Sequence, residues 1–206
     1  MARTIDLAKL KRGAEAKLSK SINQIDASIG AKLNYLLLRW MCRMTAVAVH
    51  AIWERYVEDR LVAALNHDPQ HFLQEHSIKG VKHVSYGLAT YVIRGGARYF
   101  DFRSMDELIS KANRWLGRSN NRFATLPKTD RDYIDALAAI RNFVVHESDA
   151  AFASYKRQLR HVYGVRSVPT PEEFLHAKDF RATSPCRYNP RLHGVVTVIW
   201  RSIQNT

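Results

Sequence analysis

The chain reads as an all-α helical bundle, and three observations predict it. From Ala31 to Asn66 the pattern is helical and unusually long, about nine turns. Near the N-terminus Leu18, Ile22, Ile25 and Ile29 recur at steps of four, three and four, the spacing of one helix face. Further on, Ser104, Thr129 and Thr170 each open a run that carries helix-start chemistry.

Taken in order, residues 4–29 form an amphipathic helix or arm, and Gly30 marks a break. In the long segment Leu33, Leu37, Trp40, Met41, Met44, Ala48 and Ala51 fall on a broad apolar face. That face continues through Ile52, Tyr56 and Leu61 to Leu65, and His67-Asp68-Pro69 stops it. One continuous helix and two helices joined by a kink both fit. Val81 to Ile93 alternates imperfectly, Gly95-Gly96 punctuates it, and Tyr99-Phe100-Asp101-Phe102 is rich in β-formers. Both a short β-hairpin insertion and a short helix followed by an irregular loop satisfy this stretch.

The later helices are better marked. Ser104-Met105-Asp106-Glu107 is a capping box in which Glu107 reaches back to Ser104, and Gly117 closes the helix. Thr129-Asp130-Arg131-Asp132 is a weaker start with acidic residues in the first turn. It opens a helix whose buried face is Tyr133, Leu137, Ile140 and Val144. Another helix covers Ala150 to Tyr163. Thr170-Pro171-Glu172-Glu173 begins a third capped helix, with proline where a missing N–H costs nothing. Val195 to Ile203 suits a strand or a short helix. There is no internal repeat and no low-complexity segment.

The chain has 206 residues, enough for one domain with a substantial core, or one domain plus arms. Lys and Arg number 32 against 19 Asp and Glu, a formal charge of +13. That excess favours an anionic partner, nucleic acid first and a membrane surface second. Cys42 and Cys186 are the two cysteines. They suggest neither a disulfide framework nor a metal pair, and a reducing cytoplasm fits them best. The N-terminus is basic without a continuous apolar core, so no secretory signal is expected. Arg39 and Arg43 interrupt the most apolar window, Tyr35 to Trp53, which argues against a membrane span. His67, His71, His76 and His83 are loosely clustered, at spacings that suit no metal site on a helix.

The most informative run is Ala139-Ile140-Arg141-Asn142-Phe143-Val144-Val145-His146-Glu147, which contains R-N-x-x-x-H. On a helix Asn142 and His146, four apart, lie one above the other. Arg141 and His146 are separated by about 500° of rotation. A fixed cation, an amide and an imidazole can thus line one wall of a cleft. A proton carrier with fixed positive charge is what cleavage of a phosphodiester needs at its crowded phosphorane. Two plainer roles compete with this reading. Arg141 can pair with Glu147 or a nearby Asp on the helix surface, and His146 can sit at the helix C-terminus as a favourable cation.

The R-N-x-x-x-H run on a late helix, with Trp53-Glu54-x-Tyr56-x-x-Asp59 on an earlier long one, resembles the HEPN superfamily. The resemblance covers residues 31–165 as a HEPN-like helical domain. It leaves residues 1–30 as an N-terminal amphipathic arm and residues 166–206 as a C-terminal extension packing on the domain. It implies a small helical bundle and a metal-independent endoribonuclease of the kind used in toxin–antitoxin pairs or antiviral defence. It also implies a homodimer whose cleft lies between the subunits, with no cofactor. Arg141, Asn142 and His146 match the family motif. Arg141 would stabilise the phosphorane, His146 would carry the proton, and Asn142 would orient His146 or a phosphate oxygen. Glu54 would support Arg141, while Trp53 and Tyr56 belong to the core.

Arg157, Arg160, Arg166, Arg181, Arg187, Arg191 and Arg201 are placed to track an RNA backbone, and Tyr155, Tyr163 and Tyr188 among them to stack bases. A solvated basic rim is the plainer reading of the same residues. Some HEPN toxins carry a tyrosine two residues after the histidine, which their antitoxin modifies; here that position is Ser148. Control by a bound antitoxin or an inhibited oligomer is expected instead.

Overall fold

The computed structural model describes residues 5–31, 34–177 and 191–206. Among the described residues it holds nine α-helices, one short 3-10 helix and no strand. The helices are α1 (Leu7–Gly30), α2 (Tyr35–His67), α3 (Gln70–Glu75), α4 (Tyr86–Arg94), α5 (Met105–Leu116), α6 (Lys128–His146), α7 (Asp149–Tyr163), α8 (Pro171–His176) and α9 (Arg191–Asn205). Leu33, Arg181, Cys186, Arg187 and Tyr188 lie outside the described residues.

The axis of the bundle is α2. It runs unbroken for 33 residues, so the long segment is one helix. α1, α4, α6, α8 and α9 all pack on it. Its C-terminal half is buried on most sides through Val49, Trp53, Tyr56, Val57, Leu61, Val62 and Leu65, as befits a helix enclosed by neighbours. The N-terminal half corrects the expected face. Leu38, Cys42 and Ala46 are buried, whereas Leu37, Trp40 and Met44 are exposed. Apolar residues surround the helix there, so spacing alone marks no side. Polar partners choose it: Arg39 meets Glu173 at 3.2 Å and Arg43 meets Glu172 at 2.9 Å, both on α8. Burial raises the Cys42 thiol to about 11, which leaves it a small hydrophobe.

The N-terminal segment is an amphipathic helix packed on the bundle. Asp6 caps α1 by accepting from the Lys9 N–H at 3.1 Å. Ala14, Leu18 and Ile25 are then buried, in a helix that packs on α2 and α9. At the other end α9 is a helix, with Leu192, Val195, Val196, Ile199 and Ile203 buried at helical spacing. Arg201 of α9 donates from Nε to the buried Asp130 carboxylate at the start of α6, at 2.9 Å.

The stretch 70–103 holds helices where a hairpin was one expectation. Ser85 caps α4 by accepting from the Leu88 N–H, Ala89 and Ile93 bury one face four residues apart, and Gly95 ends the helix at φ 60°. Imperfect alternation was the amphipathic pattern of a helix of nine residues, too short for its period to be read.

The helix starts differ in detail from the sequence reading. Ser104 accepts from the Glu107 N–H at 3.2 Å, but the Glu107 carboxylate accepts from Arg103 rather than Ser104, at 2.9 Å. α6 begins at Lys128 after Pro127, without a side-chain cap. Asp130 is instead buried against Arg201. The Thr170–Glu173 capping box forms in full. Gly117 closes α5 at φ 73°, where a Cβ would stand 3.1 Å from the His71 ring, so glycine is needed there on two counts. No helix among the described residues is long and apolar enough to cross a membrane.

Candidate active-site cleft

Ile140 and Val144 anchor the last turns of α6 in the core. That seating leaves Arg141 half-buried and Asn142 and His146 exposed on the outer side. His146 is the last residue of α6. Glu147 then turns the chain at φ 48°, and Ser148 caps α7 by accepting from the Ala151 N–H at 3.3 Å.

Arg43 of α2 fixes this end of α6. Its guanidinium donates to the Val144 carbonyl at 2.9 Å, to Glu147 Oε1 at 2.7 Å and to Glu172 Oε1 at 2.9 Å. The Val144 carbonyl is one of those an α-helix leaves unpaired at its C-terminus. Because Glu147 is held by Arg43, the surface pair between Arg141 and Glu147 does not form. Arg141 turns to its neighbour and donates to Asn142 Oδ1 at 2.8 Å. That bond uses one lone pair of the amide oxygen.

Arg141, Asn142 and His146 line one cleft of about 980 Å³, walled by α2, the segment 99–103, α6 and α7. Glu54, His50 and Arg55 enter it from α2, Arg157 from α7, and Tyr99, Phe102 and Arg103 from the segment before α5. A second groove, of about 730 Å³ between α1 and α2, shares Arg55 but holds none of the motif residues.

Glu54 is the electrostatic hinge of the cleft. Burial opposes its ionisation, but His50 and, more weakly, Arg141 outweigh burial and hold the carboxyl below its usual range. The three therefore form a charge-coupled set across α2 and α6. His50 is 4% exposed, and its Nδ1 lies 3.4 Å from Glu54 Oε2. Nδ1 is a buried polar atom without a hydrogen-bond partner, so the pair is one of proximity. Glu58, the next carboxylate along the wall, is already neutralised by Arg94 of α4, at 2.8 Å.

Other residues singled out in the sequence lie elsewhere. Tyr155 is fully buried, donates to the Pro169 carbonyl at 2.9 Å and stacks on Phe143. It is a core residue and cannot stack a base. Burial drives its phenol upward. Tyr163 packs edge-on against Tyr133 and Phe174. Arg160 and Arg166 are exposed but outside the cleft wall. Arg191 lies over the Phe174 ring at 4.7 Å, and Arg201 is engaged by Asp130. Among the described residues expected to contact RNA, Arg157 is the one in the cleft.

Sequence reasoning missed His50, Arg43, Tyr99 and Arg103. His50 carried a signal, its i, i+4 spacing to Glu54 on one helix. The other three depend on tertiary contacts. Among the described residues no group of three His, Cys, Asp or Glu side chains is arranged to hold a metal ion.

No family model matches the chain, and neither does a curated protein or a solved structure.

Proposed function

We propose that the chain is a metal-independent endoribonuclease of HEPN type, acting in the cytoplasm in a toxin–antitoxin or antiphage defence system. The observation that carries this reading is the meeting of Arg141, Asn142 and His146 with Glu54 in one cleft. The biological setting rests on the resemblance of the R-N-x-x-x-H run to that superfamily.

The chemistry follows from RNA itself. A ribose 2′-hydroxyl gives its proton to a base and forms a bond to the adjacent phosphorus. The P–O5′ bond breaks, and the 5′-oxygen takes up a proton. His146 is the proton carrier, since imidazole is the side chain best suited to exchange protons near neutrality. Arg141 offers a planar, permanently charged fork to the phosphorane oxygens. Glu54, whose carboxyl feels the Arg141 charge, balances that fork from the α2 wall of the same cleft. The products are a 2′,3′-cyclic phosphate and a 5′-hydroxyl.

One histidine of the motif per protomer serves as acid or base, and a second copy supplies the other. The exposed apolar stripe of Leu37, Trp40 and Met44 on α2 supports a homodimer. It lies on the helix that also carries Ala51 and Glu54 into the cleft, and contiguous apolar surface of this kind marks association sites.

The test is incubation of labelled RNA with the protein in EDTA, beside Arg141→Ala and His146→Ala. Cleavage by the wild type alone supports the reading. Binding without cleavage by all three supports a non-catalytic RNA-binding module instead.

A further inference from the structure

The aromatic residues of the cleft have a role that the motif does not explain. Between α4 and α5 the chain turns through Gly95 and Gly96, both at positive φ, and presents Tyr99, Phe100 and Phe102 in quick succession. Phe100 is the anchor. It is 8% exposed and its ring packs against Phe102 at 5.6 Å and Trp115 at 5.9 Å. Tyr99 points the other way and is 66% exposed. Tyr99 and Phe102 both line the cleft that holds Arg141 and His146, and Arg103 lines it beside them.

This wall is tied to the next helix although it carries no helix itself. Lys111 of α5 donates to the Asp101 carbonyl at 2.6 Å. The Glu107 carboxylate accepts from the Arg103 N–H at 2.9 Å. Two clamps from the next helix thus fix the backbone on either side of Phe102. A ligand stacking there meets a surface whose ordering has already been met by folding, which favours affinity.

We propose that Tyr99 is a stacking subsite for one unpaired base of an RNA strand lying in this cleft. This deepens the nuclease reading and rests on it for the identity of the nucleic acid. An aromatic face beside guanidinium groups is the pairing that proteins use for single strands. Arg103 and Arg157 line the same cleft as the aromatic residues and suit the phosphates of a bound strand. In a duplex each base face is covered by its neighbours, so a lone tyrosine finds no partner there.

The test uses the full chain carrying His146→Ala, so that RNA is bound and not consumed. Fluorescence anisotropy compares a short single-stranded RNA with the same sequence as a blunt duplex. Into this background go Tyr99→Ala, Tyr99→Phe and the control Tyr86→Ala, since Tyr86 is 50% exposed and lies outside the cleft wall. Tyr99→Ala is expected to weaken single-strand binding about tenfold, the size of one base–aromatic stack. Tyr99→Phe, which keeps the ring, stays within about twofold of the parent on the same scale, and Tyr86→Ala changes nothing.

An unchanged affinity in Tyr99→Ala, an equal loss in Tyr86→Ala, or a preference for the duplex overturns the subsite. Cleavage by the wild type with unchanged Tyr99→Ala binding would leave the nuclease standing and remove the subsite. Loss of binding in Tyr99→Ala without any cleavage by the wild type would do the reverse.

Discussion

Glu54 on α2 and Arg141 on α6 share one cleft, and the charge of the guanidinium helps hold the Glu54 carboxyl below its ordinary value, after the larger effect of His50. The residues are 87 positions apart (141 − 54) in the sequence. Their coupling ties the motif helix to the axis of the bundle.

That coupling has a spectroscopic consequence. In Arg141→Ala the Glu54 carboxyl titrates at higher pH than in the wild type, because burial is then opposed by His50 alone. Carbon-detected NMR of the Glu54 carboxyl across pH 3–8 measures the shift. Glu54→Gln removes the charge that balances Arg141 without opening a cavity, and RNA cleavage should fall about tenfold or more, since slight misplacement of a reacting group is costly.

Arg43 secures the end of the motif helix. Arg43→Ala strips the Val144 carbonyl of its donor and separates Glu147 and Glu172 from their shared cation. The expected loss is about 1–2 kcal/mol of stability by urea unfolding, kept modest because the site is partly exposed. Hydrogen exchange at Val145, His146 and Glu147 should rise more than elsewhere in α6. Arg43→Lys recovers little, because a single ammonium cannot reach three acceptors with the geometry of a fork.

Asp135 makes stability depend on pH. Burial is the main cause that pushes its carboxyl up to about 6, with Asp106 and Asp132 adding to it and the Met105 N–H opposing it. The folded chain therefore holds a proton that the unfolded chain has already lost between about pH 4 and pH 6. Stability falls as pH rises through that window. Asp135→Asn keeps an acceptor for the Met105 N–H, which Asp135 Oδ1 receives at 2.8 Å, and removes the charge. It should be more stable than the wild type at pH 7 by about 1–2 kcal/mol, discounted for solvent screening, and equal to it near pH 4. Thermal unfolding at pH 4, 5, 6 and 7 checks the sign.

At Gly117 both the φ of 73° and the neighbouring His71 ring oppose a side chain. Gly117→Ala is expected to cost about 1–3 kcal/mol, read as a lower urea midpoint. Adding His71→Ala should return part of that loss by opening the space, while the backbone strain remains.

Much of the helix inventory was legible in the sequence because start and stop signals are local. Thr170 with Glu173, Ser104 with Glu107, and Asp68-Pro69 after α2 act within a few residues of the ends they mark. Faces were harder. On α2 the stripe of Leu37, Trp40 and Met44 had the right spacing for a core, yet Leu38, Cys42 and Ala46 are buried. The deciding contacts, from Arg39 and Arg43 to α8, span about 130 residues of sequence (172 − 43 = 129). The site divides in the same way. Arg141, Asn142 and His146 stand out through their spacing on one helix. Tyr155 was misplaced because an aromatic among arginines looks the same in sequence whether it stacks a base or Phe143. Tyr99 and Arg103 enter the cleft through a clamped irregular segment, which has no period to read.

The most direct test is the chemistry of the RNA ends. Wild-type protein, incubated with a 5′-labelled single-stranded RNA in EDTA, should yield fragments ending in 2′,3′-cyclic phosphate. His146→Ala, verified as folded by circular dichroism, should yield none. Equal cleavage by His146→Ala, or fragments with 3′-hydroxyl and 5′-phosphate ends, would contradict the assignment of this cleft.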